Sequence, residues 1–278
     1  MQITAKTWNE YITRLSRLNQ KAGQLMREYI GSHDTESTDD LIAYAYGLVT
    51  KYGEGSAELA CQMYDALAEA ANAGVPAAEP AEPADYGEVA RMVNATKNQN
   101  PANLPNGVSR LVKRAGADTT LKNAARDGAE WAWVPHGDTC PFCITLASNG
   151  WQKASSKVLK GGHAEHIHAN CDCEFAIRFD HKTTVAGYDP DKYLAQYNAA
   201  GGDINKMRRV NYAANKERIN AQKRAAYAAR KLNDIEIGRS IGAKAKTTLW
   251  LTNRPGKNII LLREPACRMR RFLPEKAE

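Results

Sequence analysis

The stretch that decides the reading begins Trp131-Ala-Trp-Val134 and continues Asp138-Thr-Cys140-Pro-Phe-Cys143. After a further 24 residues it closes on His168-Ala-Asn-Cys171-Asp-Cys173. A C-x-x-C pair returning to an H-x-x-C-x-C segment supplies what a tetrahedral zinc site needs: two soft sulfurs on one tight turn, matched by nitrogen and sulfur ligands from a second segment. Four of the six cysteines and four of the six histidines (His136, His163, His166 and His168) lie between residues 136 and 173, where chance would scatter them.

Five ligands compete for four places. Cys140 and Cys143 are the firmest. A C-x-C spacing within a strand puts both side chains on one face, so Cys171 and Cys173 can both bind, giving a four-sulfur set. The favoured set is Cys140, Cys143, His168 and Cys173. His163 and His166 read as exposed loop residues. Two disulfides are the non-metal alternative. The spacing and the absence of an export signal at Met1–Trp8 favour a reducing compartment and a structural zinc. Cys61 reads as buried filler on an apolar helical face, and Cys267 stands alone.

Two enzymatic readings are weaker. Cys140-Pro-Phe-Cys143 matches the C-P-x-C form of a glutaredoxin-type dithiol, but no βαβ pattern surrounds it. His163-Ala-Glu165 with a C-x-x-C pair has the elements of a zinc deaminase in reversed order. With no glycine-rich phosphate loop, no G-x-S-x-G and no paired carboxylates, the chain reads as a non-enzyme.

Around the cluster, Trp131–Val134 alternates as a strand. Phe175, Ile177 and Phe179 alternate with Glu174, Ala176 and Arg178, predicting a half-buried strand. Upstream the pattern is helical. Trp8, Tyr11, Ile12, Leu15, Leu18, Leu25, Met26 and Tyr29 form one stripe. Ser37 or Thr38 caps a second helix that Gly53-Glu-Gly55 is expected to end, and Ser56 starts a third. Residues 74–85, with prolines at 76, 80 and 83, read as a semi-rigid spacer. Helical pattern resumes at 86–96, 108–114 and 121–131, with Asp118 or Thr119 as the N-cap of the last. The predicted fold class is α+β, mainly helical. An N-terminal helical region spans 1–73, a linker 74–85, a zinc-stapled module 86–183, a basic helical arm 184–242, and a tail of unplaced fold 243–278.

Charge is uneven. Residues 1–203 hold 19 basic and 25 acidic residues, a balance of −6, whereas 204–278 hold 19 and 6, a balance of +13. In one predicted helix over 204–234, Lys206, Arg208, Arg209, Lys216, Arg218, Lys223, Arg224, Arg230 and Lys231 face a single acid over 204–231, Glu217. Such a rod suits salt-sensitive, sequence-independent contact with phosphates. No apolar run reaches the ~20 residues of a membrane span, so no membrane contact is expected.

The run Trp131–Val134, Asp138–Gly150 and His168–Cys173 resembles the minor head proteins of tailed bacteriophages, the Mu protein F-like family, over about residues 85–180. Ala169 stands where the family usually has proline, and Asp172 where a basic residue is common. The resemblance implies a virion component at the portal vertex, found in the host cytoplasm during assembly. Its implied partners are the portal protein and capsid or scaffolding proteins. Its implied roles are head morphogenesis, DNA packaging or genome delivery; the packaged double-stranded DNA would meet the basic arm. The alternatives are a cellular zinc-stabilised nucleic-acid-binding module and a thiol oxidoreductase built on Cys140-Pro-Phe-Cys143.

Overall fold

The computed structural model describes residues 2–33, 37–136, 139–155, 173–221, 223–225 and 227–228. In chain order the elements are β1 (Gln2–Ile3), α1 (Ala5–Ser32), α2 (Thr38–Ala70), α3 (Tyr86–Gln99), a 3-10 turn (Pro101–Asn103), α4 (Leu104–Asp127) and β2 (Glu130–Val134). Then come α5 (Pro141–Ala147), β3 (Gln152–Lys153), β4 (Glu174–Arg178), β5 (Thr184–Val185) and α6 (Pro190–Ala199). Residues 204–221 are helical and form α7. The fold is mainly helical with a small sheet.

Local chemistry starts the long helices where the sequence indicates. Thr4 caps α1 by accepting from the Thr7 amide at 3.2 Å. Ser37 caps α2 by accepting from the Asp40 amide at 3.3 Å, with Asp39 and Asp40 in the first turn. Asp85 caps α3 through the Glu88 amide at 2.7 Å. Each such cap is worth about 1 kcal/mol. Gly128 closes α4 in the left-handed conformation, φ 66°, which a residue without Cβ adopts at no steric cost.

Two expected breaks are absent. Gly53-Glu-Gly55 lies inside α2, which runs unbroken to Ala70. A Cβ at Gly53 would lie 3.0 Å from Pro83 Cβ, so this glycine makes room for a neighbouring segment instead of ending a helix. Likewise α4 runs from Leu104 through Asp118 and Thr119, and neither caps a helix. Thr119 Oγ1 donates to the Ala115 carbonyl at 2.8 Å and accepts from the Ala81 amide at 2.9 Å.

α4 packs on both α1 and α2, and small residues mark the close approaches. A Cβ at Gly23 of α1 would come 3.2 Å from the Pro105 carbonyl oxygen. A Cβ at Gly116 of α4 would come 2.6 Å from Ser56 Oγ and 3.1 Å from the Ser56 carbonyl oxygen. Ser109 Oγ donates to the Asn19 carbonyl at 2.9 Å, joining α4 to α1 by a buried bond.

Residues 74–85 form neither helix nor strand, and their prolines exclude a helix, but they are strapped onto α2 and α4. The Ala78 amide donates to Asp65 at 2.7 Å and the Glu79 amide to Asn123 Oδ1 at 2.9 Å, while Asn123 Nδ2 donates back to the Glu79 carbonyl at 2.8 Å. Arg126 donates to the Pro76 and Ala77 carbonyls at 3.0 and 3.2 Å. Asp127, 3% exposed, holds that arginine and accepts from Tyr64 Oη at 2.7 Å. The boundaries expected at 73 and 86 therefore mark no break in packing. Residues 1–214 fall in one compact unit and 215–278 in a second, whose described residues are helical up to 228.

The three-stranded sheet has the order β3-β2-β4, both pairings antiparallel, with Trp131 opposite Ile177 and Trp133 opposite Phe175. Residues directly opposite share a face, so one face carries Trp131, Trp133, Phe175 and Ile177. Phe175 meets both tryptophans edge-on, with ring centroids 5.2 and 4.7 Å apart. The other face carries Ala132 and Ala176 with Glu174. β4 is buried on both faces, a correction to the half-buried expectation, because Glu174 points inward to a lysine of α4. β1 and β5 form a separate parallel pair.

Two stability outcomes follow from this packing. Gly116→Val drives a branched side chain into the Ser56 backbone and is expected to cost about 1–3 kcal/mol in chemical denaturation. Gly47→Ala, at an exposed α2 position with nothing within 4 Å of the new Cβ, is expected to stabilise by roughly 0.5–1 kcal/mol. In the strap, the Arg126 hydrogen bond chiefly holds the Asp127 carboxyl below its ordinary range, against the opposing effect of burial and with help from Tyr64. A depressed pKa contributes stability above the unfolded value of about 3.9 and loses it as pH falls through the lower folded value. Asp127→Asn is expected to cost roughly 1.5–3 kcal/mol at pH 7. Its deficit should close as pH falls below about 4; a deficit independent of pH would contradict the assignment.

Candidate metal centre

β2 delivers the chain to Cys140, and α5 begins there. Cys140 is the N-cap residue (φ −76°, ψ 158°), Pro141 opens the helix, and the Ile144 amide donates to the Cys140 carbonyl at 3.0 Å. Proline suits that position because its missing N–H would have had no helical partner. The tight turn expected for the C-x-x-C pair is thus the first turn of a short helix. Three residues along a helix share a face, and the sulfurs of Cys140 and Cys143 stand 3.5 Å apart. That exceeds the ~2.05 Å of a disulfide. It is close to the ~3.8 Å that separates two sulfurs bound tetrahedrally to one zinc at 2.3 Å.

Cys173 lies immediately before β4 and is fully buried, and Cys143 is 1% exposed. Both belong to the hydrophobic cluster built on Trp131, Trp133 and Phe175, and Cys140 packs against it. Cys173 thus sits at a strand end, and Cys140 at a helix start. His168 and Cys171 lie outside the described residues, as do His163 and His166. Among the described residues no group of three or more His, Cys, Asp or Glu side chains is arranged to hold a metal ion.

α6 packs on α5 and, with the segment before it, forms one wall of this region. Tyr188 Oη donates to the Ala147 carbonyl at 3.0 Å, satisfying the end of α5. Tyr188 and Tyr193 stack at 6.2 Å. Burial raises both phenols above their ordinary range. Residues 184–199 thus belong to the folded unit, and the basic segment starts after them.

Beneath the cysteines is a pair that sequence reading missed. Lys113 of α4 is 2% exposed at its side chain and stands 3.2 Å from Glu174 Oε1. It also donates to the Cys173 carbonyl at 2.9 Å. Nothing local singles Lys113 out in the sequence, because Arg110 and Arg114 carry the same charge beside it. At the far end of β4, Arg178 donates to Glu130 at 2.6 Å and lies over the Trp151 ring at 4.5 Å, fixing the register of β2 against β4.

Of the basic residues singled out in the sequence, Lys206, Arg208, Arg209, Lys216, Arg218, Lys223 and Arg224 are exposed on the helical residues 204–221 and 223–225. Arg230 and Lys231 lie outside the described residues. Met207 is buried, so this end of α7 packs one side chain inward. Cys61 is buried on α2 as expected, and burial pushes its thiol up to about 11. No described helix is long and apolar enough to cross a membrane.

No curated protein and no solved structure matches this chain. One family model does, described as VG15 protein, over residues 2–200. The matched span takes in the helical bundle, the sheet and α6 together, beyond the 85–180 of the Mu protein F-like resemblance. The match supports a phage protein, without resolving the Mu protein F-like assignment. The chain belongs to the VG15 protein family.

Proposed function

We propose that the chain is a minor head protein of the phage virion, of Mu protein F-like type, held at the portal vertex and stapled by one structural zinc. The observation that carries the zinc is the pair of sulfurs 3.5 Å apart on one helical turn, with Cys173 buried in the same core. A third and a fourth ligand come from Cys173, Cys171 and His168. Four protein ligands leave no open position for substrate, so the role is structural and the chain is not an enzyme. The phage setting rests on the VG15 family together with the motif of residues 131–173. In it the portal, capsid or scaffolding proteins are the partners, and assembly, packaging or genome delivery is the process.

The exposed cations between 206 and 224, joined by Arg230 and Lys231, contact packaged DNA through its phosphates. Seven of them point to solvent with one acid among them, Glu217. A surface of this kind binds phosphate without reading bases.

A second reading, thiol oxidoreductase, draws support from Cys140 at the start of a helix, the setting that activates a dithiol. The antiparallel pairing of β2 with β4 is not the parallel setting that such enzymes use.

Metal analysis separates these readings. The purified chain is expected to carry one zinc, and Cys140→Ser is expected to lose it and to melt at lower temperature. Zinc-free protein with a reversible Cys140–Cys143 dithiol couple would turn the assignment to redox chemistry. Co-purification with a portal ring tests the virion reading, and a chain that ignores portal while binding DNA alone would oppose it. For the arm, joint replacement of Arg208, Arg209, Arg218 and Arg224 by glutamine should flatten the salt dependence of DNA binding by roughly 0.9 log units per lost phosphate contact. An unchanged slope would remove the arm from the interface.

A further inference from the structure

Lys113 is buried where a cation is costly. Its side chain is 2% exposed and that of Glu174 is 6%. Removing two such charges from water costs as much as, or more than, their attraction returns, so a pair of apolar residues of similar volume would be as stable. What the pair does provide is direction. The ammonium reaches two adjacent residues, the Cys173 carbonyl at 2.9 Å and the Glu174 carboxylate at 3.2 Å. Apolar replacements would remove that hold on the peptide.

Other elements restrict the same point. Tyr11 of α1 is buried, and its phenol is raised by burial and then by the charge of Glu174. Val134 pairs with Glu174 across the sheet. Residue 173, which follows directly on the stretch carrying His168 and Cys171 in the sequence, is therefore held by the bundle.

We propose that Lys113 is a positioning residue for the metal centre: by clamping the Cys173 carbonyl and Glu174, it fixes the backbone that presents the Cys173 sulfur and so sets metal affinity. This rests on the structural-zinc reading above. It gives α4 a second role, as the member of the helical bundle that orients a metal ligand. Groups that orient ligands from behind typically change metal affinity by about 10–100-fold when removed.

Cobalt(II) titration of the full-length reduced chain, with a chelator as competitor, tests this. Wild type is expected to bind one cobalt with thiolate-to-cobalt absorption and the visible bands of tetrahedral coordination. Lys113→Met/Glu174→Met removes both charges together, so no unpaired ion stays buried. Its metal-free melting temperature should equal or exceed that of wild type, while its cobalt affinity falls by about 10–100-fold. Glu174→Gln leaves the lysine on the Cys173 carbonyl; it is expected to melt lower because the buried cation loses its carboxylate, yet to lose less than the roughly tenfold minimum expected of the double variant in cobalt affinity measured below its melting temperature. Should the double methionine variant lose its helical circular dichroism, Lys113→Gln/Glu174→Gln is titrated instead, under the same criterion. Wild-type affinity in the double variant, or an equal fall in Glu174→Gln, would overturn the positioning role while leaving the zinc reading intact. A wild-type chain without the thiolate-to-cobalt band would overturn the zinc reading, and this inference with it.

Discussion

Everything else in the folded unit depends on the close passage of α4 across α1 and α2. That passage exists because glycines leave room for it: Gly23 faces Ser109 Oγ and the Pro105 carbonyl, and Gly116 faces Ser56 Oγ and the Ser56 carbonyl. Tight packing leaves such contacts no room to relax. Once α4 is placed, its far side receives the 74–85 strap through Thr119 and Asn123. Its end at Gly128 turns directly into β2. Lys113, midway along it, reaches β4. One helix thus sets the bundle, the strap and the sheet.

The sheet in turn locates the cysteines. β2 leads to Cys140 and α5; β4 starts just after Cys173. Antiparallel pairing with fixed register, from Glu130 opposite Arg178 to Val134 opposite Glu174, brings the two cysteine-bearing segments to the same end of the strands. Tyr188 and α6 complete the enclosure around α5. Packing on α4 and α5 supports this sheet, since strands this short need a helix against them to be stable.

Elements with one dominant local signal were legible. The apolar stripe of α1, the cap at Ser37 and the alternation in Trp131–Val134 and Phe175–Ile177 all gave the right element in the right place. The misreadings share a physical cause. Gly53, Gly55, Asp118 and Thr119 carry the local chemistry of helix ends, yet tertiary contacts use them otherwise: Gly53 to admit Pro83, and Thr119 to bond Ala81. The prolines of 74–85 do forbid a helix, but sequence could not show that Asp65, Asn123 and Arg126 would hold the segment down. Lys113 and Glu174 could not be paired from sequence because 60 residues separate them. At the site, the C-x-x-C spacing correctly implied two neighbouring sulfurs, and it left open which of His168, Cys171 and Cys173 joins them.

X-ray absorption at the zinc edge of the full-length chain, purified under reducing conditions, addresses the central claim most directly. One zinc per chain is expected, in a four-coordinate shell dominated by sulfur at about 2.3 Å, with at most one nitrogen near 2.0–2.1 Å. A metal-free chain, or a zinc bound mainly through oxygen, would contradict it.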